Sequence, residues 1–325
     1  MQIVLDTYGI NLSVRNGCFL ITSDKKKRMV HPDRINSILV TMACRISSTA
    51  ILLAATNEIT LVICSRTGKP EARLWSPRFL NTSMLRRKQY GFARSNLGYQ
   101  WMNETISRKL INQLSNIRFL TDRKQSLVQE SEDVIREIDH SIVCLNSLKT
   151  DDIDCIKKMR YFEASVAKQY WQLVGKKLPA PFCFSLRTKQ NPTDVFNSYI
   201  NYLYGMLRNQ VETAILSFGL DPALGCMHRD GYKLPSLVFD LMEPYRPITD
   251  RLLIEAVLNE KLTDNMETDE LGNRRISRPG RISLINLFND KLHKTGIYNK
   301  TKTSLLNLIM LETKSLVDQI KCYEE

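Results

Sequence analysis

The chain is 325 residues long and 43% hydrophobic, enough to bury a core as one large domain or two ordinary ones. Its 46 basic residues against 34 acidic ones leave a formal charge of +12, which suits a polyanionic partner or an acidic membrane surface. The longest apolar runs, such as 50–55, are far too short to cross a bilayer, so no membrane span is expected. The opening MQIVLDTYG has neither the basic nor the apolar region of a secretory leader. Eight scattered cysteines form no CxxC pair, which excludes a zinc ribbon and suits a reduced, cytoplasmic protein. Neither a Walker sequence nor GxGxxG occurs, and no nucleophile elbow is present.

Residues 1–75 read as mostly β. The alternating run 10–14, the pair Asn16-Gly17 and the run 18–21 predict a hairpin with a two-residue turn. Lys25 to Arg28 reads as the polar tip of a turn. Runs 35–40 and 59–64 are further strands, separated by a short helix capped by Ser47 or Ser48 and ended near Asn57. Thr67 to Pro70 turns the chain.

The character changes near Ser76-Pro77, and helical periodicity dominates from Leu80. Helices are predicted near 101–118, over 130–148 and over 152–174, with a loop at 179–192. Thr193 or Asp194 caps the next helix, which runs to about Phe218. A helix from Ser236 is interrupted by Pro244 and Pro247 and resumes over 249–262. Residues 263–279 read as a polar loop, and helices over 282–293 and 303–322 close the bundle. The expected fold is α+β: a small β-rich domain over 1–78, then a larger all-α domain over 79–325.

The chemistry concentrates in CMHRDGYKLPSLVFDLMEPYRP, from Cys226 to Pro247. His228 sits in a turn-rich loop, and the apolar Leu237-Val238-Phe239 leads into Asp240 and Glu243. On a helix those two acids share a face and repel unless a cation or proton lies between them. An imidazole with two carboxylates is a ligand set for Mg²⁺ or Mn²⁺. Glu163 falls on the stripe of Ile156, Met159, Val166, Tyr170 and Leu173, where a carboxylate needs a partner; a metal shared with the His228 loop would be one. Arg86-Arg87-Lys88 with Arg94 forms a basic cluster, to which Gln89 and Tyr90 add polar groups for phosphates. Tyr199, Tyr202 and Tyr204 share a helix with Asp194 and Asn197 and read as buried tyrosines with satisfied hydroxyls.

Together, GLDPALGCMH at 219–228 and SLVFDLMEPYRP at 236–247 resemble the CRISPR-associated Cas one family. Glu163-Ala164, Pro192 to Asn197 with Tyr202 and Tyr204, and Leu85 to Gln89 resemble its first catalytic glutamate, its Asp–Asn–Tyr helix and its opening basic segment. The resemblance implies a metal-dependent nuclease and integrase that inserts short DNA fragments into a repeat array. It implies Mg²⁺ or Mn²⁺ on Glu163, His228 and Glu243, with Asp240 as a supporting catalytic acid; the second acid is Asp in some subgroups and Glu in others. It also implies double-stranded DNA contacts, for which Arg86, Arg87, Arg94 and Arg246 are the candidates. Finally, it implies a homodimer through the N-terminal domains and a hetero-hexameric complex with Cas two, in the cytoplasm of a prokaryote. A related mobile-element integrase shares these motifs, whereas a catalytically silent DNA-binding scaffold would have no use for buried acids.

Overall fold

The structure, a computed structural model, describes residues 1–23, 26–35, 37–64, 70–74, 83–123, 128–149, 154–228, 234–268, 274–298 and 301–324. The N-terminal region holds two small sheets. In the first, β1 (Gln2–Leu5) opens the chain and the Asn-Gly hairpin forms β2 (Asn11–Arg15) and β3 (Cys18–Ser23) of the second. Asn16 and Gly17 both have positive φ, 49° and 71°, the backbone that a tight hairpin turn requires. The lysines expected at a turn tip instead lie in β4 (Lys26–Val30), antiparallel to β3 at the sheet's edge; Lys25 falls outside the described residues. An edge strand with one wet face accommodates a charged run, and lysines there discourage edge-to-edge pairing.

The buried run of β5 (Ser37–Val40) pairs in parallel with β1 and with β7 (Thr60–Cys64), while the two-residue β6 (Arg45–Ile46) joins the hairpin sheet beside β2. Between β6 and β7, α1 (Ser48–Thr56) starts under Ser47, whose Oγ accepts from the Ala50 amide at 3.2 Å. β8 (Pro70–Arg73) adds an antiparallel edge to β7. Leu12, Phe19, Ile38, Ala50 and Ala54 form the small core between these elements. Of the expected turn at 67–70, residues 67–69 lie outside the described residues and Pro70 opens β8; the 78/79 boundary falls within 75–82, also outside them.

The larger region is mostly helical, as expected. It begins with α2 (Ser83–Phe92), α3 (Asn96–Arg123), α4 (Val128–Asn146), α5 (Cys155–Lys177) and α6 (Val195–Ser217). The 28-residue α3 lies at its centre, against α4 and α5. Asp194 caps α6 by accepting from the Asn197 amide at 2.7 Å. The predicted interruption at the two prolines is a change of winding. α7 (Ser236–Met242) passes through one 3₁₀ turn, Glu243–Tyr245, directly into α8 (Arg246–Leu258). Pro244 and Pro247 each stand in the first turn of the new segment, where no amide donor is needed.

Two hairpins qualify the all-α expectation. Within the predicted loop at 263–279, β9 (Met266–Thr268) pairs with β10 (Arg274–Ile276), and α9 (Arg278–His293) starts at Ser277 rather than near 282. β11 (Thr295–Tyr298) and β12 (Thr301–Ser304) then lead into α10 (Leu305–Cys322). The two regions meet through Arg73–Glu212 at 2.8 Å, Gln210–Ser37 and Arg278–Thr7. Among the described residues, no helix is long and apolar enough to cross a membrane.

Candidate active site

His228 is placed by a carboxylate that faces away from solvent. Asp240, on α7, is fully buried; its Oδ2 accepts the amides of Cys226 at 2.6 Å and Met227 at 3.0 Å. Its Oδ1 takes the His228 amide at 3.1 Å and ring Nδ1 at 2.6 Å. With the carboxylate as acceptor, Nδ1 carries the proton and Nε2 keeps its lone pair. Four donors use both oxygens of Asp240, so it orients the histidine rather than facing a ligand.

The loop is short of room. A Cβ at Gly225 would lie 2.6 Å from Asp240 Oδ2 and 2.7 Å from the Ser236 carbonyl carbon, so only glycine lets the loop lie this close to α7. At its start, Gly219 turns out of α6 with φ at 81°. Gln89 on α2 clamps the middle: its Nε2 donates to the carbonyls of Asp221 (2.8 Å) and Leu224 (3.1 Å), while its Oε1 accepts the Asp221 amide at 2.9 Å. Gln89 therefore supports the loop, and its amide is not available for phosphates. Arg160 on α5 donates to the carbonyl of Met227 beside the histidine.

Glu163 and Glu243 converge on a residue that sequence patterning did not single out. Lys109, on α3 and 5% exposed, bridges them: its Nζ is hydrogen-bonded to Glu163 Oε1 and lies 2.6 Å from Glu243 Oε2. The second contact is ionic without hydrogen-bond alignment, so the buried Oε2 has a charged neighbour and no aligned donor. Glu243 Oε1 accepts from Arg246 Nε at 3.0 Å and lies 4.0 Å from His228 Nε2. Burial works against the Glu243 charge, but Arg246 and Lys109 outweigh it and bring the carboxyl down to about 2. Burial likewise opposes the Lys109 charge, and Glu243 and Glu163 outweigh it, raising the ammonium above its ordinary value.

Behind this cluster is a second buried network. Arg246 stacks over Tyr204 at 4.9 Å, and the hydroxyls of Tyr204 and Tyr170 donate to Asp250 at 2.6 and 3.1 Å. Asn116 ties it to α3, donating to the Tyr170 hydroxyl and to the Pro247 carbonyl. Burial pushes Asp250 up to about 7, against the pull of those hydroxyls and of Arg187 and Arg246. Arg187 also donates to Asn197 and Asn201, so α6 holds the 179–192 loop against the site. The Tyr199 hydroxyl donates to the Thr263 carbonyl at 2.8 Å, as a buried tyrosine must.

The expected site residues thus gather in one place, apart from the basic cluster on α2 and in the turn after it. There Arg87 and Arg94 are exposed, Arg94 lies over Tyr90, and the half-buried Arg86 reaches the Gly219 carbonyl. Arg246 points into the cluster and pairs with Glu243. Among the described residues, no three His, Cys, Asp or Glu side chains already stand close enough to hold an ion. The donor set nevertheless fits one: two carboxylates already share a cation, and a histidine with a free Nε2 faces the second of them.

A strand-rich region followed by a mostly helical one is the architecture of several solved structures. A structure described as a casposase bound to integration product superposes on the whole chain with a TM-score of 0.82 at 22% identity, covering 91% of that protein. A CAS1 protein from Thermotoga maritima superposes over the full length of both chains with a TM-score of 0.80 at 18% identity. The family model for CRISPR associated protein Cas1 matches residues 3–290, and the chain belongs to that family. Its relatives include the CRISPR-associated endonuclease Cas1 1 of Archaeoglobus fulgidus, 26% identical over 98% of this chain and 95% of that protein. Another is the CRISPR-associated endonuclease Cas1 1 of Pyrobaculum aerophilum, 30% identical over 78% of this chain and 81% of that protein.

Proposed function

We propose that the chain is a metal-dependent DNA integrase and endonuclease of CRISPR adaptation, acting on double-stranded DNA at a repeat array. The observation that carries this reading is the convergence of Glu163 and Glu243 on one buried cation, beside a histidine whose Nε2 is left available by Asp240. Glu163, His228 and Glu243 are the residues that would hold Mg²⁺ or Mn²⁺. When bound, the ion supplies Lewis-acid polarisation of a phosphodiester.

The protein's own residues orient and balance charge. Asp240 locks the imidazole, while Gln89 and Gly225 keep the His228 loop against α7. In the exchange, the 3′-oxygen of the incoming strand bonds to a target phosphorus as that phosphorus releases the target's own 3′-oxygen. The attacking hydroxyl loses a proton and the departing oxygen gains one. One phosphodiester replaces another, so no ATP is consumed, consistent with a chain that has no nucleotide-binding motif. A homodimer offers two such sites for the two ends of a fragment. Assembly with Cas2 is supported by the shared fold with a structure described as a Cas6-RT-Cas1–Cas2 complex, at a TM-score of 0.80 and 19% identity.

The test supplies a short duplex with free 3′-hydroxyls and the same duplex with both ends dideoxy-blocked, together with a repeat-containing plasmid. Joining of the first alone, stopped by EDTA and indifferent to ATP, is the expected outcome. Joining of the blocked duplex would refute the chemistry. The likeness to a casposase favours one second reading, a mobile-element integrase. Preference for transposon ends over repeats in the same assay would select it.

A further inference from the structure

Lys109 occupies the position that the two metal-binding carboxylates leave for a cation. It projects from α3, almost sealed from solvent, with its ammonium against Glu163 on α5 and Glu243 after α7. Arg246 is the second cation on Glu243, so these two carboxylates are already balanced by two positive side chains. Adding a divalent ion to that set would leave two surplus positive charges in a partly buried site, which costs more there than in water. Moving Lys109 off the carboxylates lowers the surplus to one charge, and a phosphodiester brings the one negative charge that cancels it.

We propose that Lys109 is a resident counter-cation that holds Glu163 and Glu243 together in the metal-free protein and competes with the divalent ion for them. Metal binding then requires its ammonium to leave the carboxylate pair, and metal and DNA bind cooperatively because the phosphate offsets the charge that remains. The inference rests on the metal-site reading above. Lys109 acts as a positioning residue, through the two acids. The lysine has a further physical use: without it, the buried Glu243 and the partly exposed Glu163 would face each other with no cation between them and repel.

The experiment is Mn²⁺ titration followed by electron paramagnetic resonance on the full chain. It is run for the wild type, Lys109→Met and Lys109→Gln, each with and without the dideoxy-blocked duplex, after circular dichroism has shown that the variants fold. Removing the competing charge should tighten Mn²⁺ binding without DNA by about tenfold or more. The gain in affinity that the duplex confers on the wild type should shrink by a similar factor. Adding Glu243→Gln should abolish the binding in every background.

Equal Mn²⁺ affinity in wild type and variants, with Glu243→Gln still abolishing it, would overturn the role of Lys109 and leave the metal site standing. Binding that is indifferent to Glu243→Gln, or absent throughout, would overturn both. The wild type provides a measurement that needs no folded variant: acylation of Lys109, followed by mass spectrometry, should accelerate when Mn²⁺ is added. An unchanged rate in Mn²⁺-saturated protein would overturn the proposed displacement.

Discussion

At the residue scale, the cluster depends on a few buried charges. Glu163→Ala, His228→Ala and Glu243→Ala are each expected to abolish strand joining in a plasmid assay while leaving duplex binding near the wild-type level, because none of the three is a basic DNA contact. Near-normal joining by His228→Ala would remove the imidazole from the site. Asp250 carries a separate prediction. Its carboxyl lies at 3.8 ordinarily and is pushed up to about 7 by burial, so the folded protein holds that proton more tightly than the unfolded chain. The resulting stability is fully present below about pH 4 and is lost as pH rises through about 7, a change of a few kcal/mol. Urea melts across that range should show stability falling with pH, and Asp250→Asn should flatten the slope; an unchanged slope would mean that another group carries it. Glu163, His228, Asp240 and Glu243 were legible in the sequence because an acid on an apolar stripe and acids beside a histidine are local anomalies. Lys109 was not, since a lysine between Arg108 and Leu110 reads like any solvated helical position, and its partners lie 54 and 134 residues further along the chain.

At the element scale, strands and helices with strong periodicity emerged with the expected type, including the Asn-Gly hairpin and the long helices of the bundle. The strand departures share one cause, which is that short polar segments take their structure from pairing. The run 263–279 has little apolar pattern, yet β9 and β10 pair, and the Asn265 amide is tied to the Tyr199 hydroxyl at 2.9 Å. Likewise β4 is a strand because β3 offers it a partner, despite its charged run. The prolines at 244 and 247 mark a change of winding because both sit where a helix has no amide to satisfy. The α2–loop contact leads to a third prediction. Gln89→Ala would strand two part-buried carbonyls and the Asp221 amide, which water can reach in part, at a cost of about 1 kcal/mol, the low end for an unsatisfied group. We expect slower joining and a lowered melting temperature, with duplex affinity unchanged; a fall in duplex affinity as large as the fall in joining would show that Gln89 touches DNA after all.

At the scale of the whole molecule, the surplus of +12 has to be reconciled with a site whose own cations are already engaged. Lys109 and Arg246 face acids, and Arg187 is held by Asn197 and Asn201, so in the metal-free protein these three buried cations are engaged by protein groups. Affinity for a duplex must then come from surface cations such as Arg87 on α2 and Arg94 just after it, together with the charge spread over the rest of the chain. Contacts of that kind neutralise phosphates and release condensed counterions, whichever bases lie between them. A protein making about six to ten such contacts loses about 10³ to 10⁵ in affinity between low and moderate salt. Fluorescence polarisation with unrelated duplexes of equal length should therefore show a steep salt slope common to all of them. Arg87→Ala and Arg94→Ala should each lower the slope by about one contact, while Glu163→Ala should leave it unchanged. A flat salt response would show the positive surplus to be incidental to DNA binding, and a slope that varied strongly with duplex sequence would point to base readout in place of backbone recognition.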